Sequence, residues 1–231
     1  MIKPILFNTQ MVQAIQDKRK KVTRRLVKLP KHIEKDSVDG IYTLYADGTN
    51  YQSSYLEEFF EYIYPKYNVG DILWVTETWR VFNTYENAFG FDVLYKADDK
   101  IISCSFKESD RYLDKFAKYE SKNGWQSPYF MPKEAARIFL RVTGVKVERL
   151  QDITEAQIVK EGINPYDEIC HDINWKPTYN DPDSGGSPNL MQGWEILWNS
   201  TVKENWQKFD ENPWVCVIEF ERCEKPEGWG E

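Results

Sequence analysis

The sequence predicts an α+β fold, a small mixed β-barrel flanked by helices, and three observations point there. Strand-like segments alternate with scattered short helices and lack the strand-helix-strand rhythm of a doubly wound sheet. One long strand pattern, Arg137 to Leu150, has a glycine where its apolar parity switches, which reads as a bulge or barrel bend at Gly144. The 12 Phe, 14 Tyr and 9 Trp supply the bulk that a single core needs. With 231 residues and neither an internal repeat nor a linker, the chain reads as one domain over residues 1–231, with loop-rich insertions at about 29–68 and 164–189.

The elements follow in order. Asn8 is placed to N-cap a helix ending near Asp17, with Met11, Val12 and Ile15 on one face and Phe7 and Val12 at the staple positions. Thr23 to Val27 alternates as a strand. Residues 29–68 follow no single period and read as an insertion with room for a short helix. Asp71 to Trp79 (DILWVTETW) is β-prone throughout, and Glu77 interrupts the face shared by Leu73 and Val75. Val93 to Lys96 is a further strand, turning at Asp98 to Lys100, and Pro132 to Ala136 makes one helical turn before the long strand. Thr154 with Gln157 forms a capping box, Ile153 and Ile158 a staple, and Gly162 a C-terminal stop, which bounds a helix over 155–161. Leu190, Trp194, Leu197 and Trp198 line one face of a helix. Trp214 to Arg222 closes the chain as a strand whose inward residues are Trp214, Cys216, Ile218 and Phe220.

Composition narrows the function. No apolar run approaches the roughly 20 residues that span a bilayer, and Met1 to Phe7 is too short for a signal-peptide core, so the reading is cytoplasmic and free of membranes. Cys104, Cys170, Cys216 and Cys223 form no CxxC pair, and the Cys170-His171 doublet lacks partners at zinc spacing, so no metal or other cofactor is expected. His32 is the only other histidine. The net charge of −7 opposes loose binding along a polyanion. The distribution is uneven, because Lys18 to Lys31 holds eight basic residues and no acid.

Within that run, Lys20, Thr23 and Arg25 offer an amine, a hydroxyl and a guanidinium. Thr23 and Arg25 share a strand face, and Lys20 joins them only through the turn. The plain alternative is a solvent-exposed basic turn. Glu161 sits in the last turn of its helix, where a carboxylate opposes the dipole, and a nearby Lys20 or Arg25 would compensate it. The plain alternative is an exposed glutamate.

Lys20-x-x-Thr23-x-Arg25 after a short helix, DILWVTETW, and the stretch from Leu150 to Glu161-Gly162 together resemble the ASCH domain, named for homology to activating signal cointegrator. The segments KPILFNTQMVQAI, MPKEAARIFLRVTGVKVERLQDIT and NPWVCVIEFER are similar to phage and prophage ASCH proteins. The resemblance covers roughly 1–28, 69–80, 128–163 and 190–223. The family pattern has glycine two positions before its lysine, where this chain has Lys18, so a left-handed helix end there carries a cost of about 1 kcal/mol.

The resemblance implies a PUA-like barrel whose pocket receives a nucleobase, a nucleoside or a nucleic-acid strand, RNA ahead of DNA. Lys20, Arg24 and Arg25 would hold phosphate, while Trp74, Trp79 or Tyr129 stack on a base and Glu77 lines the pocket. A bacterial branch of the family hydrolyses cytidines acylated on the exocyclic amine. Its Lys, Thr and Glu map onto Lys20, Thr23 and Glu161 as catalytic candidates, and a lysine-activated threonine is chemically suited to amide attack. A nuclease variant of that pocket and a phage-borne protein-interaction module are the other readings.

Overall fold

A computed structural model of the chain describes residues 1–27, 33–36, 40–46, 49–55, 58, 66–85, 90–105, 119–120, 124–164 and 189–229. The chain is a strand-rich α+β protein with three sheets. Five strands follow the hydrogen-bonded order β1 (Ile2–Leu6), β6 (Ile72–Thr76), β10 (Phe139–Arg149), β11 (Trp214–Cys223) and β2 (Val22–Leu26). Three antiparallel strands, β3 (Ile33–Lys35), β4 (Tyr42–Ala46) and β5 (Thr49–Ser53), make a second sheet, and β7 (Trp79–Tyr85), β8 (Gly90–Tyr95) and β9 (Ile101–Ser105) make a third. The described α-helices are α1 (Thr9–Gln16), α2 (Glu155–Lys160) and α3 (Leu190–Thr201). None of them is long and apolar enough to cross a membrane.

The chain divides into two compact units, and β10 and β11 contribute to both. The first comprises Met1–Lys20, Gly70–Thr143 and Phe220–Glu231. In it β1 runs parallel to β6, which pairs antiparallel with Phe139–Arg141 of β10. Asn8 caps α1 by accepting from the Met11 N–H at 2.8 Å, and the staple residues Phe7 and Val12 are both fully buried. Gln13 of α1 donates to the Ala97 carbonyl at 2.8 Å and Gln16 to Asp98 at 3.1 Å, which fixes the helix on the turn after β8. The core gathers Trp79, Val81, Phe91, Val93, Tyr95 and Phe139.

The segment DILWVTETW forms two strands instead of one. The break falls at Glu77 and Thr78, because the Glu77 N–H turns to the Met131 sulfur at 3.3 Å rather than continuing the ladder. The turn after β8 matches its sequence signal, with Asp99 left-handed at φ 54°. One 3-10 turn, Lys133–Ala135, occupies the predicted helical turn.

The second unit comprises Lys21–Val69 and Gly144–Glu219. Here β2 pairs antiparallel with β11, and the β3-β4-β5 sheet occupies part of the segment read as a loop-rich insertion. Thr154 and Gln157 form the predicted capping box, with the Thr154 N–H donating to the Gln157 side chain at 2.9 Å, and Gly162 takes the left-handed φ of 101°. Trp194 and Trp198 of α3 pack with Ile153, Ile158, Val215 and Val217. This corrects part of the inward set predicted for the last strand, in which Ile218 and Phe220 are buried as expected. Val215 and Val217 are buried on the helix side while Trp214 and Cys216 are half-buried on the other face, because β11 is covered on both faces. Gly144 allows a close approach: a Cβ there would meet the Glu219 carboxylate at 3.0 Å. Residues 165–188, with Cys170 and His171, and residues 28–32, with Lys28, Lys31 and His32, lie outside the described residues.

Lys18 is left-handed at φ 63°, and the Arg19 and Lys20 N–H groups both return to the Ala14 carbonyl, at 2.9 and 3.0 Å. This is the position at which the ASCH pattern that the sequence resembles has glycine. A left-handed L-residue is strained by roughly 1–2 kcal/mol, and glycine's larger unfolded-state entropy offsets part of the relief. Lys18→Gly is therefore expected to stabilise the protein by about 0.5–1 kcal/mol, read as a higher urea midpoint at unchanged slope.

Candidate functional site

Three of the residues expected in a solvent-facing basic turn are buried. Lys18, Arg19 and Lys21 face solvent, but Lys20 is only 3% exposed, Thr23 1% and Arg24 3%. The exposed-turn reading is therefore corrected. Lys20, in the first unit, places its ammonium 5.8 Å from the centre of the Phe7 ring. Thr23, Arg24, Arg25 and Glu161 belong to the second unit.

The strand β2 alternates, setting Thr23 opposite Ile218 and Arg25 opposite Cys216, while Arg24 takes the other parity. The Arg24 side chain is wholly buried, and a buried guanidinium requires acceptors. Its Nη2 and Nε donate to the Glu148 Oε1 at 2.6 and 3.1 Å, and its Nη1 donates to the Glu161 Oε1 at 3.0 Å. Lys146 pairs with the other Glu148 oxygen, and the Trp194 ring lies 5.9 Å from the guanidinium. Arg24 is thus a compensating partner of Glu161 at the end of α2, and the plain exposed reading of Glu161 falls with its 4% exposure. Arg24 is held by two carboxylates, which removes it from the set of phosphate-holding candidates.

Arg25 lies near Tyr67 and Glu161. Burial pushes its guanidinium below its ordinary value, while those two groups act in the opposite direction. Burial likewise raises the Tyr67 phenol, against the pull of Arg25. It also pushes the Cys216 thiol up to about 11, so this half-buried cysteine is a poor nucleophile at neutral pH.

In the first unit, Glu77 is 1% exposed and receives a two-pronged contact from Arg137, with Nε to Oε1 and Nη2 to Oε2 both at 2.8 Å. The third Arg137 nitrogen donates to Asp98 at 2.8 Å, and the guanidinium lies 3.9 Å from the centre of the Tyr95 ring. Glu77 is a structural ion-pair partner there. Trp79 is fully buried in the core, edge-on to Tyr119 at 5.5 Å, so its ring is not offered to a ligand. Trp74 is half-buried against Trp229 at 5.7 Å. Tyr129 alone among the proposed stacking residues is freely accessible, at 78% exposure.

Tyr129 has company that the sequence reading missed. Gln126 pairs with Trp79 as a β-bridge, which sets the segment from Gly124 onward beside β7. Trp125, 42% exposed, then has Arg80 at 5.5 Å and Lys96 at 5.8 Å from its ring centre. A 3-10 turn, Pro128–Phe130, follows and presents Tyr129 and Phe130 edge-to-face at 5.3 Å, both exposed. The signal available was the aromatic cluster Trp125-Gln126-Ser127-Pro128-Tyr129-Phe130, in which the proline and serine mark a turn and three large rings have no core period. The arrangement is a set of ring faces with two cations beside one of them.

No family model, no curated protein and no solved structure matches the chain.

Removing one partner from a buried ion cluster leaves uncompensated charge, at a cost of about 3–5 kcal/mol. Arg24→Met, which removes the guanidinium shared by Glu148 and Glu161 and leaves Glu148 with Lys146, is expected to lose up to that much in urea unfolding, whereas Glu161→Gln should lose less because Glu148 still neutralises the guanidinium. A double-mutant cycle on Arg24 and Glu161 should return a coupling above about 1 kcal/mol.

Proposed function

We propose that this chain is an ASCH-type protein of the PUA-like barrel class that binds a nucleobase, a nucleoside or a single nucleic-acid strand, RNA ahead of DNA. The observation that carries the reading is the exposed array of Trp125, Tyr129 and Phe130 with Arg80 and Lys96 beside Trp125. Single-stranded nucleic acid is held by bases stacked on aromatic rings and by cations that meet the backbone, and it tolerates any sequence because every base has a π-face. A net charge of −7 is compatible with this, since the cations act locally. The strand-rich α+β fold and the motifs around Lys20, Thr23 and Arg25 support the family assignment.

Amide hydrolysis by Lys20, Thr23 and Glu161 is the second reading. In its favour is the burial of Lys20, since a desolvated amine is the form that serves as a base. Against it, the Thr23 hydroxyl is sealed at 1% exposure, and a Glu161 oxygen is occupied by Arg24. Binding without turnover is therefore the better account. Hydrolysis of an acylated cytidine that disappears in Thr23→Val would reverse that ranking.

Stacking one base on an aromatic ring contributes about 1–3 kcal/mol by alanine substitution. With a labelled single-stranded RNA oligomer followed by fluorescence anisotropy, Trp125→Ala and Tyr129→Ala are each expected to weaken binding at least about fivefold, the low end of that range. Arg80→Gln should lower the slope of affinity against salt by about one. Equal affinity in all three variants would remove this surface from the reading.

A further inference from the structure

The second unit also contains a cavity of about 600 Å³ whose lining includes Tyr42, Trp206, Trp214, Lys35, Arg149 and Glu211. None of these belongs to the basic run or to the surface around Trp125, so the inference stands apart from the reading above. The volume falls within the roughly 300–1,000 Å³ of small-molecule sites.

The walls are built in advance. The Trp214 indole N–H donates to the Tyr42 hydroxyl at 2.5 Å, which locks the two rings edge-to-face at 72° and 6.5 Å between centres. Tyr42 is anchored with Ile33 and Leu44 in its own small core. The Arg149 guanidinium lies 4.2 Å from the centre of the Trp214 ring and gives one N–H to the Asn212 carbonyl at 3.1 Å. A guanidinium has five such donors, so its capacity extends beyond that contact. The Lys35 ammonium lies 5.7 Å from the Tyr42 ring, and Trp206 is 53% exposed. Two cations and one carboxylate thus line an aromatic pocket, leaving a local excess of positive charge in a chain of net charge −7.

Those two properties restrict the occupant. Inorganic phosphate alone would satisfy the cations but leave the rings unused. A neutral aromatic would cover the rings but desolvate two cations without an anion, which is costly. A planar ring carrying an anionic group answers both needs. We propose that this cavity is a site for a nucleoside monophosphate, with the base against Trp206 and Trp214 and the phosphate toward Lys35 and Arg149.

The test titrates the full chain with AMP, adenosine and inorganic phosphate, following tryptophan fluorescence and calorimetry. AMP should bind at least tenfold more tightly than either fragment. Trp206→Leu and Lys35→Gln alter exposed side chains, so both variants should fold. Trp206→Leu should weaken AMP at least tenfold, while Lys35→Gln should weaken AMP and leave adenosine unchanged. Single-stranded RNA binding through Trp125 and Tyr129 should be unaffected by either, so this site and that surface can fail separately. Absence of AMP binding at millimolar concentration overturns the proposal. So does an undiminished affinity in Trp206→Leu, or a Lys35→Gln variant that loses AMP and adenosine alike.

Discussion

The contact on which the second unit depends is the buried guanidinium of Arg24 between Glu148 and Glu161. A charge with no exposed side-chain surface persists only if its partners are fixed, and each partner here belongs to a different part of the chain. Arg24 lies on β2, Glu148 near the end of β10, and Glu161 at the C-terminal cap of α2. Apolar packing of Val22, Ile158, Trp194 and Val217 supplies the non-directional burial around them. The ion cluster adds direction, since the guanidinium N–H donors lie in one plane at fixed angles. It also explains why a glutamate is retained where the helix dipole disfavours it.

The first unit solves the same problem with different parts. Arg137 is held by Glu77 and Asp98 and lies over Tyr95, whose hydroxyl donates to the Ala135 carbonyl at 2.6 Å. Two effects oppose each other at Glu77: burial raises its carboxyl, and Arg137 lowers it, with burial the larger. The contact at 2.8 Å on both oxygens nevertheless identifies the charged pair as the geometry the fold is built around. Both clusters turn motif residues inward, so charged residues that look like ligand-binding groups are spent on architecture.

How much of this was legible follows the range of the interactions involved. Asn8, the Thr154 and Gln157 box and Gly162 act within a turn of their own helix, and the elements they bound match the sequence. The partners that decide β2 are 124 and 137 residues away, so the basic run discloses its cations but not which of them turns inward. The polar strand β5, Thr49 to Ser53, and its neighbours β3 and β4 have weak alternation, and their pairing is set by the register against one another. In DILWVTETW the alternation passes unbroken through Glu77, and only the contacts with Met131 and Arg137 reveal the break. Over Trp214 to Ile218 of β11 both parities are apolar, so burial on two faces defeats a one-face reading there.

What remains available for recognition is then narrow. With Arg24 and Arg137 committed to carboxylates, several other cations are found beside rings: Lys96 at Trp125, Arg149 at Trp214, Lys35 at Tyr42. A ring quadrupole holds a cation with about 0.5–1 kcal/mol at exposed sites without neutralising it, whereas a carboxylate would cancel its charge toward an incoming anion. In a chain with more acids than bases, this is how positive potential survives locally. It also places each cation beside a ring, so charge and ring would meet the ligand of a proposed site together. At the proposed sites, such pairs would favour molecules that combine a planar ring with an anion over simple polyanions, which offer charge alone.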